Sequence, residues 1–586
     1  MKALGVFSTL AAASSPLLGF GAQVPFHATA DRASTTAARV PEERWNFEIA
    51  PSPNATGNYI FESVSSLLQQ WSNTRYRNGH NIVPVTIPVN TLLYHGTWHN
   101  EIPSVPDWVA TDPEHSYLFC RGSEAEKGCW HLTLAVTRPL NVLYFDGSSA
   151  AKMEGCMDGQ DMITWGNSPP NRIFDEATRI RDLCAWGKKY NLNGFMRMEM
   201  DFEIMLCDFT EGVEVASFLK LVAPHIRNRP PPPRKNLTEL ENDDEGMLSF
   251  RVLESGHTHN RFPGETRAQL DLTRLVSFYD IDMFPGLVES RYNQERFFHR
   301  PASIEEDGRK RLLQRLDEVL TTPQPPGSGV DWTSLIRVIK HRYADRLEIL
   351  QYMLNKTENS QQTLRDVHAY TQSMLPQYLV NGVGPDNASS TSVQWASPVF
   401  QECASTHTKT VRGTLYPKLT YSERLILSSV DSTLHEICRV LVGLWADGVL
   451  KLELPEATAL EPGAIVADWS SRINELTRWL DWSEWVKCRP ECGFEETCYI
   501  PTWPWLHGAE WRKRPRGPPQ GPGNPPEYPP QNPPENWGVH RSGDSIFKRD
   551  RKWGWVKDFT LDDDDDDYWR RPQPKCIWRV PPFDKL

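Results

Sequence analysis

A proline run followed by an acidic run divides this chain into two parts with different folding patterns. Pro230 to Pro233 form a stiff, extended segment, and Glu239 to Glu245 form a solvated acidic segment. The sequence therefore predicts a linker at residues 226–246. A strand-rich part lies before this linker, and a helix-rich part lies after it.

The part before the linker combines several short apolar strands with few helices. The predicted strands are Thr91–His95, Trp130–Thr137, Asn141–Phe145 and Glu203–Phe209, and the predicted helix is Asp175–Tyr190. This pattern indicates a compact α+β domain at residues 86–225, preceded by an extension at residues 23–85.

The part after the linker has the periodicity of amphipathic helices. Asp331–Leu354, Ser422–Leu450 and Trp469–Val486 each place apolar residues on one face. We therefore predict a mainly helical region with a cysteine cluster at residues 247–511. Residues 512–586 are rich in proline and aspartate, and this composition predicts a disordered tail.

The first residues have the layout of a secretory signal peptide. Met1 and Lys2 precede an apolar run from Ala3 to Phe20, which predicts a signal peptide at residues 1–22. We find no later stretch that is apolar enough to span a bilayer. The sequence therefore predicts a secreted protein without a membrane span.

Four acceptor sequons agree with export, and the net charge bears on the kind of partner. The sequons predict glycosylation at Asn54, Asn236, Asn355 and Asn387. The formal net charge is −12, which argues against nucleic acid as the main partner.

Eleven cysteines in an exported chain indicate disulfides rather than metal sites. In the strand-rich part we predict that Cys120 pairs with Cys129 across a polar loop and that Cys156 pairs with Cys184. Because the number of cysteines is odd, at least one thiol has no disulfide partner within the chain. Cys207, inside an apolar strand, is the candidate for that unpaired thiol.

The other cysteines include a tight cluster of Cys488, Cys492 and Cys498. A disulfide knot is favoured there, because disulfides persist in oxidising compartments. Zinc, with His507 as a fourth ligand, is the alternative that the spacing leaves open. The cysteines available to complete disulfide pairs with the cluster are Cys403, Cys438 and Cys576.

Three short motifs in residues 86–225 carry the candidate chemistry. A strand ends in His95-Gly96-Thr97, a second strand at Trp108 leads to Ser116-Tyr117, and Glu203 opens a late apolar strand. In this order the motifs resemble the ADP-ribosyltransferase fold, in its diphtheria-toxin and poly(ADP-ribose) polymerase branch. The resemblance implies an ADP-ribosyltransferase-like split β-sheet domain and NAD as the substrate.

The resemblance also implies roles for single residues. Glu203 would hold the ribose 2′-hydroxyl and stabilise the oxocarbenium-like charge that develops when the nicotinamide–ribose bond breaks. His95 would donate a hydrogen bond to the adenosine-side ribose, and Tyr117 would complete the catalytic set. The residues assigned to NAD binding are Gly96, Trp108 and Ser116.

The sequence departs from the family pattern at two positions. Trp108 stands where the family has a tyrosine, so that position keeps an aromatic face and loses the hydroxyl. Asp201 stands where arginine-directed relatives have Glu or Gln, which leaves the choice between transfer and NAD hydrolysis open. The acceptor of a transfer reaction, protein or small molecule, does not follow from the sequence.

Histidine pairs elsewhere suggest metal binding more weakly. His95 and His99 have a spacing that holds zinc on a helix, but Gly96 and Thr97 place them across a turn. His257 and His259 are predicted to lie on the surface. We therefore expect no metal.

The sequence thus predicts a secreted NAD-binding ADP-ribosyltransferase or NAD glycohydrolase. The alternative is a non-catalytic secreted glycoprotein that binds a glycan or a protein partner. The enzyme hypothesis carries a geometric expectation: His95, Tyr117 and Glu203 converge on one cleft.

Overall fold

The structure is a computed structural model. It describes residues 42–120, 129–221, 252–292, 294–321, 327–356, 359–385, 392–453, 461–500 and 573–580. Several predictions lie outside these residues: the signal peptide, the linker, His507, and the sequons at Asn236 and Asn387.

Twelve strands and twelve α-helices have both ends within the described residues. The strands are β1 (Asn81–Ile87), β2 (Leu92–Thr97), β3 (Asp107–Ala110), β4 (Cys129–Val136), β5 (Leu140–Phe145), β6 (Gly194–Met198), β7 (Phe202–Leu206), β8 (Val213–Leu221), β9 (Gln269–Leu270), β10 (Val276–Ser277), β11 (Glu496–Tyr499) and β12 (Lys575–Trp578). The helices are α1 (Gly57–Ser66), α2 (Gln70–Thr74), α3 (Pro113–Tyr117), α4 (Asp158–Thr164), α5 (Glu176–Gly187), α6 (Gly286–Arg291), α7 (Glu306–Thr321), α8 (Trp332–Asn355), α9 (Ser360–Met374), α10 (Ser397–Ser405), α11 (Tyr421–Gly448) and α12 (Pro462–Leu480).

A single mixed sheet organises the strand-rich part, which confirms the predicted α+β class. Its strand order is β10-β1-β5-β6-β7-β3-β2-β4-β8, with β9 paired to β1. Only β5 and β6 pair in parallel among the described strands. The chain between them forms α4 and α5, because a parallel pair needs a long crossover connection. The four predicted strands correspond to β2, β4, β5 and β7, and the predicted helix at Asp175–Tyr190 corresponds to α5 with a short 3₁₀ turn after it.

The main core of this sheet lies on the face covered by α5 and α7. Apolar residues of α7 recur at helical spacing, and Leu312 and Leu316 are completely buried against it. Ile180 and Leu183 of α5 pack into the same cluster. A buried ion pair holds α4 to α5, since Arg179 Nε lies 2.7 Å from Asp161 Oδ1.

The chain divides into two compact units. One comprises Pro53–Lys340, Thr420–Ile426 and Asp481–Leu586, and it contains the sheet. The other comprises Met1–Ser52, His341–Leu419 and Leu427–Leu480. The sheet unit therefore includes residues from both sides of the predicted linker.

The second unit is helical, as the periodicity predicts. Cys403 on α10 and Cys438 on α11 form a disulfide within it. α12 ends earlier than predicted, at Leu480, because Asp481 adopts a left-handed backbone with φ of 48°. Within the described helices, none has both the length and the apolar character needed to cross a membrane.

Two cysteine predictions are wrong. Cys184 pairs with Cys207, and Cys156 is the free, buried thiol. The reason is that α5 packs against the sheet and brings the Cα atoms of Cys184 and Cys207 to 5.5 Å. Cys129 is also disulfide-bonded.

The predicted disulfide knot at Cys488, Cys492 and Cys498 is confirmed. Cys488 pairs with Cys498, and Cys492 pairs with Cys576. The second disulfide joins β12 to the chain beside β11, and the two strands pair in antiparallel register. This differs from the disorder predicted for residues around Cys576, because a covalent link replaces the core that the tail composition cannot form.

Candidate functional site

Glu203 lies at the centre of the sheet, in a strand with no exposed residue. β7 pairs with β6 on one side and β3 on the other, which places Glu203 opposite Arg197 and Ala110. The Arg197 Nε atom donates to Glu203 Oε1 at 2.6 Å, and both side chains are buried. A carboxylate at this depth requires such a partner, because an unpaired buried charge is strongly unfavourable.

The neighbours of Glu203 come from α3 and from the turn between β6 and β7. α3 begins with Pro113 and carries His115, which is completely buried. His115 Nε2 lies 3.7 Å from Glu199 Oε2. One nitrogen of His115 and one oxygen each of Glu199 and Glu203 all lie within 4.8 Å of one another. We call these three residues the His115 cluster.

Two cations neutralise most of the acidic charge around the His115 cluster. Lys152 Nζ lies 3.2 Å from Glu199 Oε1 and 3.8 Å from Glu176 Oε2. Arg197 forms ion pairs with both Glu176 and Glu203. A third cation, Arg179, pairs with both Glu176 and Asp161, so four carboxylates face three cations, and a protonated His115 makes the group neutral.

The pKa shifts follow from this arrangement. Burial alone lowers the pKa of His115, but the nearby carboxylates of Glu199, Glu203 and Asp201 outweigh burial and raise it. Burial alone raises the pKa of Glu176, but Arg197 and Lys152 outweigh burial and lower it to about 2. His115 therefore favours the imidazolium form, and Glu176 stays ionised.

A second group of ionisable residues adjoins the first. His259 Nε2 lies 3.2 Å from Asp112 Oδ2 and 3.4 Å from Glu265 Oε2. Arg267 forms ion pairs with the same two carboxylates. We call Asp112, His259, Glu265 and Arg267 the Asp112 cluster. The prediction that His259 lies on the surface is wrong, because folding buries it against carboxylates far away in the sequence.

Asp201 connects the two clusters. Its Oδ1 lies 3.9 Å from His259 Nε2, and its charge also acts on His115. Burial, reinforced by the charge of Asp112, raises the pKa of Asp201 well above its ordinary value. Burial acts in the same direction on Asp112, but hydrogen bonds from His259 and Arg267 outweigh it and lower the pKa of Asp112. Two adjacent carboxyl groups with pKa values moved apart are typical of acid–base sites.

Both clusters have the composition of metal ligands, since each offers one imidazole and two carboxylates. In both, however, a basic side chain already supplies positive charge to the carboxylates. Lys152 does so for Glu199, and Arg267 does so for Asp112 and Glu265. Proton chemistry therefore fits these residues better than metal chemistry.

His95 and Glu203 lie on opposite faces of the sheet. Tyr94 pairs with Ala110, and Ala110 pairs with Glu203, so these three side chains share one face. His95 follows Tyr94 directly and faces the other way. Its Nδ1 lies 2.7 Å from the Trp108 carbonyl oxygen, and its ring meets the edge of Phe209.

The other residues assigned by the resemblance lie nearer to the Glu203 face. Trp108 pairs with Met205, two residues beyond Glu203, and packs against the main core. Ser116 Oγ lies 2.7 Å from Nε2 of His131, the residue that pairs with Gly96. Tyr117 is half-buried at the end of α3. The structure thus places His115, the residue before Ser116, beside Glu203. His95 does not reach Glu203.

Sequence reasoning missed several residues of this site, but a signal for some of them was present. Every second position from residue 197 to residue 203, where one apolar strand ends and the next begins, is charged. These residues are Arg197, Glu199, Asp201 and Glu203. Alternation with period two marks one face of a strand pair, and a charged face in a buried hairpin predicts an ionic cluster. No comparable signal identifies His115, because its role depends on how α3 packs.

The raised pKa of Asp201 makes a prediction about stability. A carboxyl group that folding keeps protonated stabilises the fold below its ordinary pKa of about 4, and this contribution is lost as the pH rises through the folded-state value. Asparagine mimics the protonated form at every pH. The difference in stability between Asp201→Asn and wild type is therefore expected to move in favour of the variant by about 1–2 kcal/mol as the pH rises from 5 to 8.

Urea unfolding of both proteins at several pH values measures this difference. Asp307→Asn is the control, because Asp307 is exposed and its difference from wild type is expected to be constant above pH 5. A difference between Asp201→Asn and wild type that does not change with pH would contradict the prediction.

Two of the predicted glycosylation sites lie within the described residues. Asn54 and Asn355 are both exposed. Their surface positions leave room for a glycan, and glycosylation stays a prediction.

Comparison with known proteins gives similarity without an activity. A family model described as the YPL277C N-terminal domain matches residues 51–131 and 123–243. The chain is 24% identical over 532 residues to uncharacterized protein YOR389W of Saccharomyces cerevisiae, which covers 76% of this chain and 81% of that protein. It is 28% identical over 297 residues to uncharacterized protein YPL277C of the same organism, which covers 37% of this chain and 60% of that protein. No solved structure matches the chain. The matched segments include the three residues of the His115 cluster but, of the Asp112 cluster, only Asp112.

Proposed function

We propose that this chain is a secreted NAD glycohydrolase whose catalytic carboxylate is Glu203 and whose imidazole partner is His115. The observation that carries the proposal is the His115 cluster, in which one imidazole and two carboxylates converge within 4.8 Å. All three side chains are buried, and electrostatic stabilisation of a developing charge is strongest where water is scarce. The resemblance of the Glu203 strand to ADP-ribosyltransferases supports NAD as the substrate.

The cluster supplies the groups that hydrolysis of the nicotinamide–ribose bond needs. The bond between ribose C1′ and the nicotinamide nitrogen breaks, and its electron pair leaves with nicotinamide. Glu203 stabilises the oxocarbenium-like ribose that remains. A water oxygen then attacks C1′ and loses its proton to solvent. The products are nicotinamide, ADP-ribose and a proton.

The imidazolium of His115 has a binding role in this scheme. Its raised pKa keeps it protonated, so it donates a hydrogen bond and does not act as a base. A ribose hydroxyl beside Glu203 is the acceptor that such a donor fits. His115 thus donates to the ribose held by Glu203, whereas the resemblance implied His95 as a donor to the adenosine-side ribose.

The surroundings of the His115 cluster favour water over a large molecule as the acceptor of the ADP-ribosyl group. The His115 cluster nears solvent at Lys152 and Glu176, whose side chains are 20% and 13% exposed. The ribose of NAD reaches Glu203 when these two side chains move apart. Because Lys152 and Glu176 leave so little of the cluster near solvent, water is favoured over the side chain of a second protein as the acceptor, and we propose hydrolysis and not transfer.

Nicotinamide release from NAD by the purified, secreted protein tests the proposal. Glu203→Gln is expected to lower the rate at least a hundredfold, because the developing charge loses its carboxylate, an effect of about 3 kcal/mol. Glu265→Gln is the matched control, since Glu265 is also buried and paired with an arginine. We expect that control to retain the wild-type rate within a few-fold.

A third variant separates the two histidines. His115→Gln is expected to lose activity, whereas His95→Gln, on the other face of the sheet, is expected to retain it. The reverse result would restore the arrangement that the sequence motifs implied. A folded wild-type protein that neither releases nicotinamide nor binds NAD in calorimetry would overturn the proposal.

A further inference from the structure

A cavity lies in the sheet unit outside both ionic clusters. It has a volume of about 260 Å³ and is lined by residues of α2, of the segment 253–260, and of the chain at and beside the paired strands β11 and β12. Neither cluster contributes a lining residue. Gln70 links the cavity lining to both clusters, because its backbone N–H donates to the carbonyl oxygen of His259 and its side chain donates to the carbonyl oxygen of Met200, beside Glu199. The cavity therefore requires a separate explanation.

Aromatic rings form two parts of the cavity wall. Trp71 comes from α2, and Tyr499 comes from β11. The faces of these rings suit a ligand that has an apolar face of its own.

The polar lining consists mostly of neutral groups. The polar lining includes the amides of Gln70 and Asn260, threonine hydroxyls, the imidazole of His257, one acid, Glu254, and one guanidinium, Arg579. Burial lowers the pKa of His257, so its imidazole is uncharged at neutral pH. The opposite charges cancel, so the lining favours a neutral ligand over an anion or a cation. Amides and hydroxyls both donate and accept hydrogen bonds, as the hydroxyl groups of a polyol do.

The volume limits the ligand to one ring. Pockets for drug-sized ligands measure about 300–1,000 Å³. This cavity, at about 260 Å³, falls just below that range. We propose that the cavity binds one neutral sugar ring, either as a free monosaccharide or as the terminal unit of a glycan.

Disulfides maintain the outer wall of this sugar site. Cys498 lines the cavity and is bonded to Cys488. Cys492 is bonded to Cys576, which lies in β12 three residues before Arg579. The wall is thus formed by chain segments that a covalent link joins over a sequence separation of 84. The site is expected to require the oxidised protein.

Saturation-transfer NMR on the full, enzymatically deglycosylated chain tests the proposal. The probes are the methyl glycosides of glucose, mannose and galactose, with N-acetylglucosamine as a further neutral sugar and glucuronate as the charged counterpart. At least one neutral probe is expected to bind, more tightly than glucuronate does. Absence of binding by every neutral probe, or tightest binding by glucuronate, would overturn the proposal.

Two variants localise the binding to the cavity. Trp71→Ala removes an aromatic wall, and Thr258→Trp fills the cavity from an exposed position without removing a buried side chain. Each is expected to weaken binding of the neutral probe at least tenfold. Trp479→Ala, in the helical unit, is the matched control and is expected to leave the affinity unchanged. Binding that survives Thr258→Trp in a folded protein would place the sugar elsewhere and refute the inference.

A last experiment tests whether the cavity binds a free monosaccharide or the terminal sugar of a glycan. An oligosaccharide that ends in the best-bound sugar is compared with the methyl glycoside. Affinity at least tenfold higher for the oligosaccharide supports a glycan, and equal affinity supports a free sugar. Reduction of the disulfides, followed by loss of binding, would support the role assigned to the outer wall.

Discussion

Replacement of Lys340 by methionine is expected to lower the free energy of unfolding by about 3–5 kcal/mol. Lys340 Nζ lies 2.6 Å from Glu62 Oε2, 2.9 Å from Ser65 Oγ and 2.5 Å from Glu484 Oε2. The lysine side chain is only 1% exposed. Methionine fills a similar volume, so the expected loss comes from charge and not from a cavity.

Glu484 and Glu62 differ in the ion-pair and hydrogen-bond partners that remain when Lys340 is replaced. Glu484 keeps an ion pair with Arg337 at 2.8 Å. Glu62 keeps hydrogen bonds from the backbone and side chain of Ser483, but these are neutral donors. A buried carboxylate without a cation is the situation in which removal of one partner is most destabilising.

Denaturant unfolding at neutral pH measures the loss. Lys310→Met is the control, because Lys310 and Asp307 form an exposed pair whose removal is expected to cost less than about 1 kcal/mol. Adding Glu62→Gln to Lys340→Met removes the unpaired charge, and the double variant is expected to recover most of the stability. A loss below 1 kcal/mol for Lys340→Met would show that the ion pair contributes little.

The sequence predicted the elements of the sheet because their signals are local. Alternating apolar residues were sufficient to locate β2, β4, β5 and β7. The same reasoning located Glu203 in a buried strand. The strand order was not predictable in this way, since it depends on contacts between distant segments.

Strand register and packing decide which side chains meet in the two ionic clusters. Glu203 meets Arg197 because β6 and β7 pair in one register, and a shift by one residue would place them on opposite faces. For the same reason His95 faces away from Glu203, although the motif order suggested one cleft. His259 and Asp112, 147 residues apart, share no local pattern that predicts their contact.

Arg197 is the residue whose loss is expected to affect the His115 cluster most. Its Nε donates to Glu203 at 2.6 Å, its Nη1 lies 3.2 Å from Gln160 Oε1, and its other terminal nitrogen pairs with Glu176. The side chain is almost completely buried. Arg197→Met is expected to lower the free energy of unfolding at pH 7 by about 3–5 kcal/mol, because two buried carboxylates lose a shared cation.

The pH dependence identifies the cause of this loss. Without Arg197, the pKa of Glu176 is expected to rise, since burial then acts with one cation fewer. Carboxyl groups with raised pKa values destabilise the fold as the pH rises and are harmless once protonated. The deficit of Arg197→Met relative to wild type is therefore expected to shrink markedly between pH 7 and pH 4.5, as measured by denaturant unfolding. Arg181→Met, at an exposed arginine, is expected to differ little from wild type at either pH. An equal deficit for Arg197→Met at both pH values would instead assign the loss to packing, and would contradict the view that charge balance organises this site.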